Sequence, residues 1–188
     1  VEKQFTEQWR HPTPVPTVIK IWRIYGERSV LDRFFLERRT GTSGANTRRR
    51  FHGTIRKCRL GDTSTDGVLC KLSDCNMCSI IRSSFQLAHV GERTNFGRFG
   101  AGIYTSATSS KANDYYGGSA SSNRAMLLND VVMGEGVKLT TTDESLTKPP
   151  AGYDSVIGEP GGDLNYDESI GAYRLNDAIR ASFLIVYK

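Results

Sequence analysis

The chain has 188 residues, 38% hydrophobic and 24% charged, which suits one globular domain of ordinary composition with at most a modest extension. No apolar run approaches the roughly 20 residues that cross a bilayer, and no basic-then-apolar leader opens the chain, so neither a membrane-spanning helix nor membrane partnership is expected. The first residue is Val1 rather than Met, so a leader removed upstream is compatible with the sequence. An intracellular setting, cytoplasm or nucleus, is favoured.

The net charge of +5 is uneven: residues 1–57 hold 13 Lys/Arg against 5 Asp/Glu, and residues 58–188 hold 12 against 15. A basic half attracts nucleic acid or the pyrophosphate of a dinucleotide, although a solvated basic face accounts for the same bias. In chain order, Pro12, Pro14 and Pro16 mark residues 1–16 as an extended arm, with Trp9 as its packing residue. Val18–Tyr25 is β-branched and aromatic and predicts a strand. Val30, Leu31, Phe34 and Phe35 recur at helical spacing and predict an amphipathic helix over 27–39. After a turn-rich break comes a short strand, Phe51–Ile55. Residues 58–78 hold all four cysteines and little periodicity. A helix is predicted over 79–90, a Gly-rich loop over 91–101, a strand over 102–106 and a short helix over 108–115. Strands follow at 125–133, 136–141, 155–158, 164–173 and 180–187, punctuated by Pro149, Pro150, Pro160 and paired glycines.

Helices therefore crowd the first half and strands the second. That order disfavours a doubly wound parallel sheet and favours α+β with antiparallel sheets. No G-x-G-x-x-G follows a strand, which disfavours a Rossmann nucleotide site.

The chemistry-bearing residues fall in three places. Phe51-His52-Gly53-Thr54 comes first, then Gly102-Ile103-Tyr104-Thr105-Ser106 with Tyr115 eleven residues beyond Tyr104, and then Tyr166-Asp167-Glu168. Singly each is bland: His-Gly-Thr is common in strands, Gly-Ile-Tyr reads as core, and an Asp-Glu pair reads as an edge. In combination, the order His, Tyr, Glu at this spacing resembles the catalytic signature of the poly(ADP-ribose) polymerase superfamily of ADP-ribosyltransferases. The similarity runs from about residue 17 to the C-terminus and takes in Pro149–Val156.

The resemblance implies an α+β ADP-ribosyltransferase fold in which two antiparallel sheets flank an NAD cleft with a few peripheral helices. It divides the chain into an N-terminal arm, 1–16, and a catalytic domain, 17–188, carrying the cysteine-rich insertion 58–78. It implies an enzyme that releases nicotinamide from NAD and passes ADP-ribose to an acceptor, which is a protein, a nucleic acid or a small molecule. Breaking that N-glycosidic bond builds positive charge on the ribose, as in glycoside hydrolysis, so a carboxylate beside the ribose and flat surfaces around the nicotinamide both help. By resemblance His52 hydrogen-bonds the adenosine ribose, and Gly53 lets its backbone approach the carboxamide. Thr54 keeps the hydroxyl of the family's usual Ser. Tyr104 and Tyr115 bracket the nicotinamide, Glu168 supports the developing cation, and Arg98 with Arg93, Asn95 and Phe96 meets the donor from the Gly-rich loop.

Two departures bear on activity. Ala112 stands where the family usually has a Ser that bonds the nicotinamide amide, leaving Ser109 or Ser110 as substitutes. The spacing from Glu168 to Tyr173 is one residue longer than usual, which suggests a bulge and leaves Asp167 as the alternative inward carboxylate. Transfer of one ADP-ribose is the leading expectation. NAD glycohydrolysis, or a weakly catalytic module binding ADP-ribose or nucleic acid, are the alternatives.

Cys58, Cys70, Cys75 and Cys78 form C-x11-C-x4-C-x2-C. Four thiols ending in a C-x-x-C knuckle fit a structural Zn2+ site, with disulfides or buried free thiols as the other readings. The pattern also resembles one carried by fungal proteins with this catalytic signature, and only loosely the zinc insertion of tankyrases, which lies later in the chain.

Overall fold

The structure, a computed structural model, describes residues 1–40, 46–86, 97–100, 102–118, 120–164, 168–171 and 176–188, with 37–40, 168–171 and 176 described by backbone alone. Strands β1 (Val18–Arg23), β2 (Thr47–His52), β3 (Ile103–Ser106), β4 (Arg124–Val132), β5 (Gly136–Leu139), β6 (Ser155–Gly158), β7 (Glu168–Gly171) and β8 (Ile179–Tyr187) join in the order β1-β8-β4-β2-β3-β7-β6-β5. Helices α1 (Glu2–Glu7), α2 (Arg28–Thr40), α3 (Asn76–Ser83) and α4 (Ser109–Asn113) lie around it.

The sheet has a seam. β2 pairs with β4 from Thr47↔Val132 to His52↔Leu127, but with β3 only at Phe51↔Ser106. The two sheets expected from the sequence are thus two halves of one hydrogen-bonded order, β1-β8-β4-β2 and β3-β7-β6-β5, hinged where they meet. All pairs are antiparallel save β5–β6. There residues 140–154 carry the chain across between the two strands, a connection long enough for the crossover that parallel neighbours need.

The central strands are buried because they read as apolar on both faces. In β4, Ala125, Met126, Leu127 and Leu128 are all in the core, and in β8 Leu184, Ile185, Val186 and Tyr187 are too. One cluster gathers Leu127, Leu184 and Val186 with Cys75, Met77, Cys78 and Phe85; a second, across the sheet, gathers Met126, Leu128, Ile185 and Tyr187 with Phe5 and Phe51.

Three expectations change. The short strand expected over Phe51–Ile55 is β2, which runs earlier, Thr47–His52. Residues 2–7 are helical rather than extended, and Phe5 is fully buried, its ring 5.1 Å from that of Tyr187 and 5.6 Å from that of Trp9. The first residues are therefore part of the core beneath β4 and β8. Pro12, Pro14 and Pro16 disguise this, although they lie beyond the helix, which ends at Glu7. The helix expected over 79–90 is α3, and it starts earlier, with Cys75 as its N-cap, and stops at Ser83.

Candidate active site

A cleft opens at the seam. It is lined by His52 and Gly53 from the end of β2, Tyr104 and Ser106 from β3, and Lys111, Ala112 and Tyr115 from and just after α4. Because β2 and β3 share a single pair, the strands part beyond it, and the side chains at their ends face a common hollow.

His52 is held on two sides. Its Nδ1 lies 2.8 Å from the Tyr104 carbonyl oxygen, and its ring stands nearly perpendicular to that of Phe85, at 5.0 Å between centroids and 85° between planes. A carbonyl only accepts, so the proton sits on Nδ1 and Nε2 is the acceptor of the neutral ring. Burial pushes the His52 pKa below its ordinary 6.5, and the bond to the Tyr104 carbonyl offsets only part of that. The side chain is therefore neutral near pH 7, with Nε2 a hydrogen-bond acceptor.

Gly53 has a steric reason to be glycine. A Cβ there would lie 1.8 Å from the Ala112 carbonyl oxygen and 3.3 Å from Tyr115 Cβ. The end of β2 and α4 thus touch backbone to backbone, which sets the width of the cleft. Tyr104 is fixed by its hydroxyl, which donates to the Gly100 carbonyl at 2.7 Å and accepts from the Phe99 N–H at 3.0 Å. Its ring lies so close to Gly97 that a Cβ there would be 2.2 Å from Cζ. Tyr115 is 48% exposed, with Lys111 Nζ 5.6 Å from the ring centroid. The ring is thus half exposed with a cation over it.

Other expected contacts lie elsewhere. Ser110 Oγ accepts the backbone N–H groups of Arg10 and His11 at 3.0 and 3.2 Å, and Ser109 Oγ donates to the Phe5 carbonyl at 2.7 Å. Both hydroxyls tie α4 to the N-terminal segment, and neither residue lines the cleft. Thr54 is buried away from it. Arg98 points into a clamp between loops, its Nη1 donating to the Asp163 carbonyl at 2.8 Å and to Thr142 Oγ1 at 3.4 Å. Arg93, Asn95, Phe96 and Asp167 lie outside the described residues.

Glu168 is placed by its backbone. It stands opposite Ser106 of β3 on one side and Gly158 of β6 on the other. The β3–β7 register runs unbroken from Ser106↔Glu168 to Ile103↔Gly171, with no bulge inside it. Ser106 lines the cleft, so the carboxylate-bearing strand runs beside its wall. Lys111 and Ser106 were not singled out from sequence, though both lie inside the Tyr104–Tyr115 motif. Phe85 had no local signal at all, because its partner is 33 positions earlier in the chain.

The four cysteines converge. Their sulfurs all lie within 4.8 Å of one another, with Cys58 Sγ 3.6 Å from Cys78 Sγ and 3.8 Å from Cys75 Sγ. None is in a disulfide. Tetrahedral Zn2+ with bonds of about 2.3 Å holds its sulfurs about 3.8 Å apart, so the spacing fits a metal and not an S–S bond of about 2.05 Å. Burial pushes the Cys58 and Cys78 thiols up. For Cys75 burial acts the same way but is outweighed by backbone N–H groups, that of Lys57 lying 3.3 Å from its sulfur, and its pKa falls. The loop is also anchored by fully buried Arg56, which donates to the Leu60 carbonyl at 2.7 Å and to Asp62 Oδ1 at 2.9 Å.

A neutral imidazole, a glycine pressed against a helix, two tyrosines and a carboxylate-bearing strand around one cleft define the ADP-ribosyltransferase class of α+β domain. The chain belongs to the poly(ADP-ribose) polymerase catalytic-domain family, whose model matches residues 1–169. It is similar to the protein mono-ADP-ribosyltransferase PARP4 of mouse, 37% identical over 89 residues, and of human, 41% over 68. Those stretches cover 44% and 36% of this chain but about 4% of either relative, so the chain spans a small part of their length. Among the described residues no helix is long and apolar enough to cross a membrane.

Proposed function

We propose that this domain transfers a single ADP-ribose unit from NAD to an acceptor and releases nicotinamide. The observation that carries this is the convergence of His52, Gly53, Tyr104 and Tyr115 on one cleft, in a chain of this family. The mono rather than poly outcome is supported by the names of the two relatives.

The nicotinamide ring lies between Tyr104 and the half-exposed ring of Tyr115, with its carboxamide against the Gly53 backbone. Ala112 brings no hydroxyl to it, and Ser109 and Ser110 are committed elsewhere, so this cleft holds the amide with one side-chain bond fewer, a loss on the order of 1 kcal/mol. His52 Nε2 accepts from the adenosine ribose. The C1′–N bond breaks with its electron pair going to nicotinamide, which leaves neutral. The positive charge left on the ribose is stabilised by the Glu168 carboxylate, the acceptor's nucleophile forms the new bond to C1′, and its proton passes to that carboxylate and on to water. The four cysteines hold Zn2+, a structural ion that orders residues 58–78 and takes no part in the transfer. Such thiols persist in a reducing compartment, in keeping with the cytoplasm or nucleus.

The test is incubation of the purified chain with isotope-labelled NAD and a cell extract, followed by mass spectrometry. Nicotinamide release with singly ADP-ribosylated products supports the proposal. Free ADP-ribose with nothing modified makes the domain a glycohydrolase. Saturable NAD binding without nicotinamide release makes it a binding module. Glu168→Gln should lower the transfer rate on the order of a hundredfold or more with NAD affinity within a few fold. Unchanged transfer there, with Asp167→Asn inactive, would move the role to Asp167.

A further inference from the structure

We propose that Phe85 is a positioning residue for His52, and that the four-cysteine cluster, closed on a thiophilic divalent cation of the Zn2+ kind, holds Phe85 in place. The cluster would then support the NAD cleft rather than only fold its own loop. The proposal rests on reading the cleft as the NAD site.

The connection is short and continuous. Cys75 caps α3 and Cys78 lies in its first turn, so two of the four sulfurs are fixed to the start of one helix. Met77 and Cys78 of α3 pack in the core with Leu127, Leu184 and Val186 of β4 and β8. The helix is also held by the sulfur cluster, by the Met77 N–H bonded to the Ile55 carbonyl at 2.9 Å, and by Arg82, whose guanidinium donates to the Cys70 carbonyl. Its other end is unusual. Ser84 has φ 67 and ψ 179, a conformation for which glycine is the natural residue, and it is the one non-glycine with positive φ among the described residues. Such a conformation is strained for a residue with a side chain and persists where its surroundings over-determine it. Here the Ser84 N–H bonds the Ile80 carbonyl at 2.9 Å and its hydroxyl donates to the Ile179 carbonyl at 3.3 Å.

The sharp turn at Ser84 sends Phe85 back into the same core cluster that contains Cys75 and Cys78. From there its ring meets His52 edge to face. The bond from Nδ1 to Tyr104 holds one side of the imidazole, and the near-perpendicular contact with the Phe85 ring is a second restraint on its orientation. Loosening the sulfur cluster frees the start of α3, and what moves at the far end is the strained turn that carries Phe85.

The test uses the full chain, its metal content measured by elemental analysis. The side-chain 1H–15N spectrum of His52 reports the tautomer and ring environment without any turnover, and NAD kinetics are read as kcat and KM separately. Phe85→Leu keeps an apolar core residue but removes the ring. It should retain a single Zn2+ per chain, raise KM for NAD about fivefold with kcat near wild type, and shift the His52 signals toward mixed tautomers. Phe85→Tyr should restore the signals. Removing the metal with a chelator should perturb the same His52 signals, and adding Zn2+ back should recover them. If the stripped chain unfolds, Phe85→Leu alone decides. The proposal is overturned by a His52 spectrum and KM unchanged in Phe85→Leu, by an unchanged His52 spectrum in folded, stripped protein, or by a chain that takes up no Zn2+. A wild-type chain that binds no NAD would sink the functional reading instead, while the His52 spectrum would still answer whether the cluster reaches the imidazole.

Discussion

The two walls of the cleft are held up by different means. On the His52 side, support comes from a sulfur cluster, a helix and one aromatic ring, all from residues 58–85. On the α4 side it comes from the N-terminal segment. Ser109 N–H donates to the Gln8 carbonyl at 3.0 Å, Ser109 Oγ reaches the Phe5 carbonyl, and Ser110 Oγ takes the amides of Arg10 and His11. The first support depends on four clustered thiols. The second depends on hydrogen bonds and on Phe5 packing beneath β4 and β8. The lesson is that α4 has only five residues, too few to hold a position by helical cooperativity. Its serines are used as anchors, and this is why they are absent from the cleft.

The comparison breaks most completely at Gly53, where the two walls touch. Gly53→Ala puts a methyl within 1.8 Å of the Ala112 carbonyl, a backbone atom that yields only if α4 moves. NAD affinity should fall about a hundredfold, as overpacking of up to about 3 kcal/mol implies, measured by calorimetric titration. Near-normal binding would show that the backbone contact does not set the width of the cleft.

Ser110→Ala should act on the α4 side alone. It removes the acceptor of two part-buried amides, which costs about 1–3 kcal/mol, or a fall in melting temperature of about 2–4 °C per kcal/mol for a chain of this size. Limited proteolysis should cut residues 8–13 sooner, while Zn2+ content and the His52 spectrum stay as in wild type. A change in either would mean that the walls are not independently supported.

Acid should act on the His52 side, with the smallest effect. The folded-state pKa of His52 lies below 6.5, so as pH falls past that value the unfolded chain takes up a proton before the folded one does. Stability from this group is present above pH 6.5 and is lost as pH drops toward the folded value. Denaturant titrations between pH 7.5 and 5.5 should show the loss, and His52→Gln should flatten it. An unflattened slope would place the titrating group elsewhere.

Much of this site was readable along the chain. His52, Gly53, Tyr104 and Tyr115 sit in local motifs whose strands and turns are set by neighbouring residues, and the structure brings those four together. The cysteine spacing announced a cluster. What could not be read were roles that depend on a distant partner. Ser110 and Arg98 carry polar groups suited to NAD, but whether such a group faces substrate or another loop depends on which segment packs beside it. For Ser110 that segment lies about 100 positions earlier, and for Arg98 it lies 65 later. Phe85 looked like any core aromatic.

The sequence by itself determined the α+β class, the strands that alternate with turns, the His, Tyr and Glu order and a four-thiol set, because these follow from side-chain periodicity and spacing over a few residues. Tertiary structure alone decided that the two half-sheets meet at one residue pair, that the first helix belongs to the core, and that Phe85, just past the cysteine helix, meets the cleft imidazole. Those outcomes turn on packing between segments far apart in the chain, where many partners satisfy the same local pattern and only the shape of the whole core selects one.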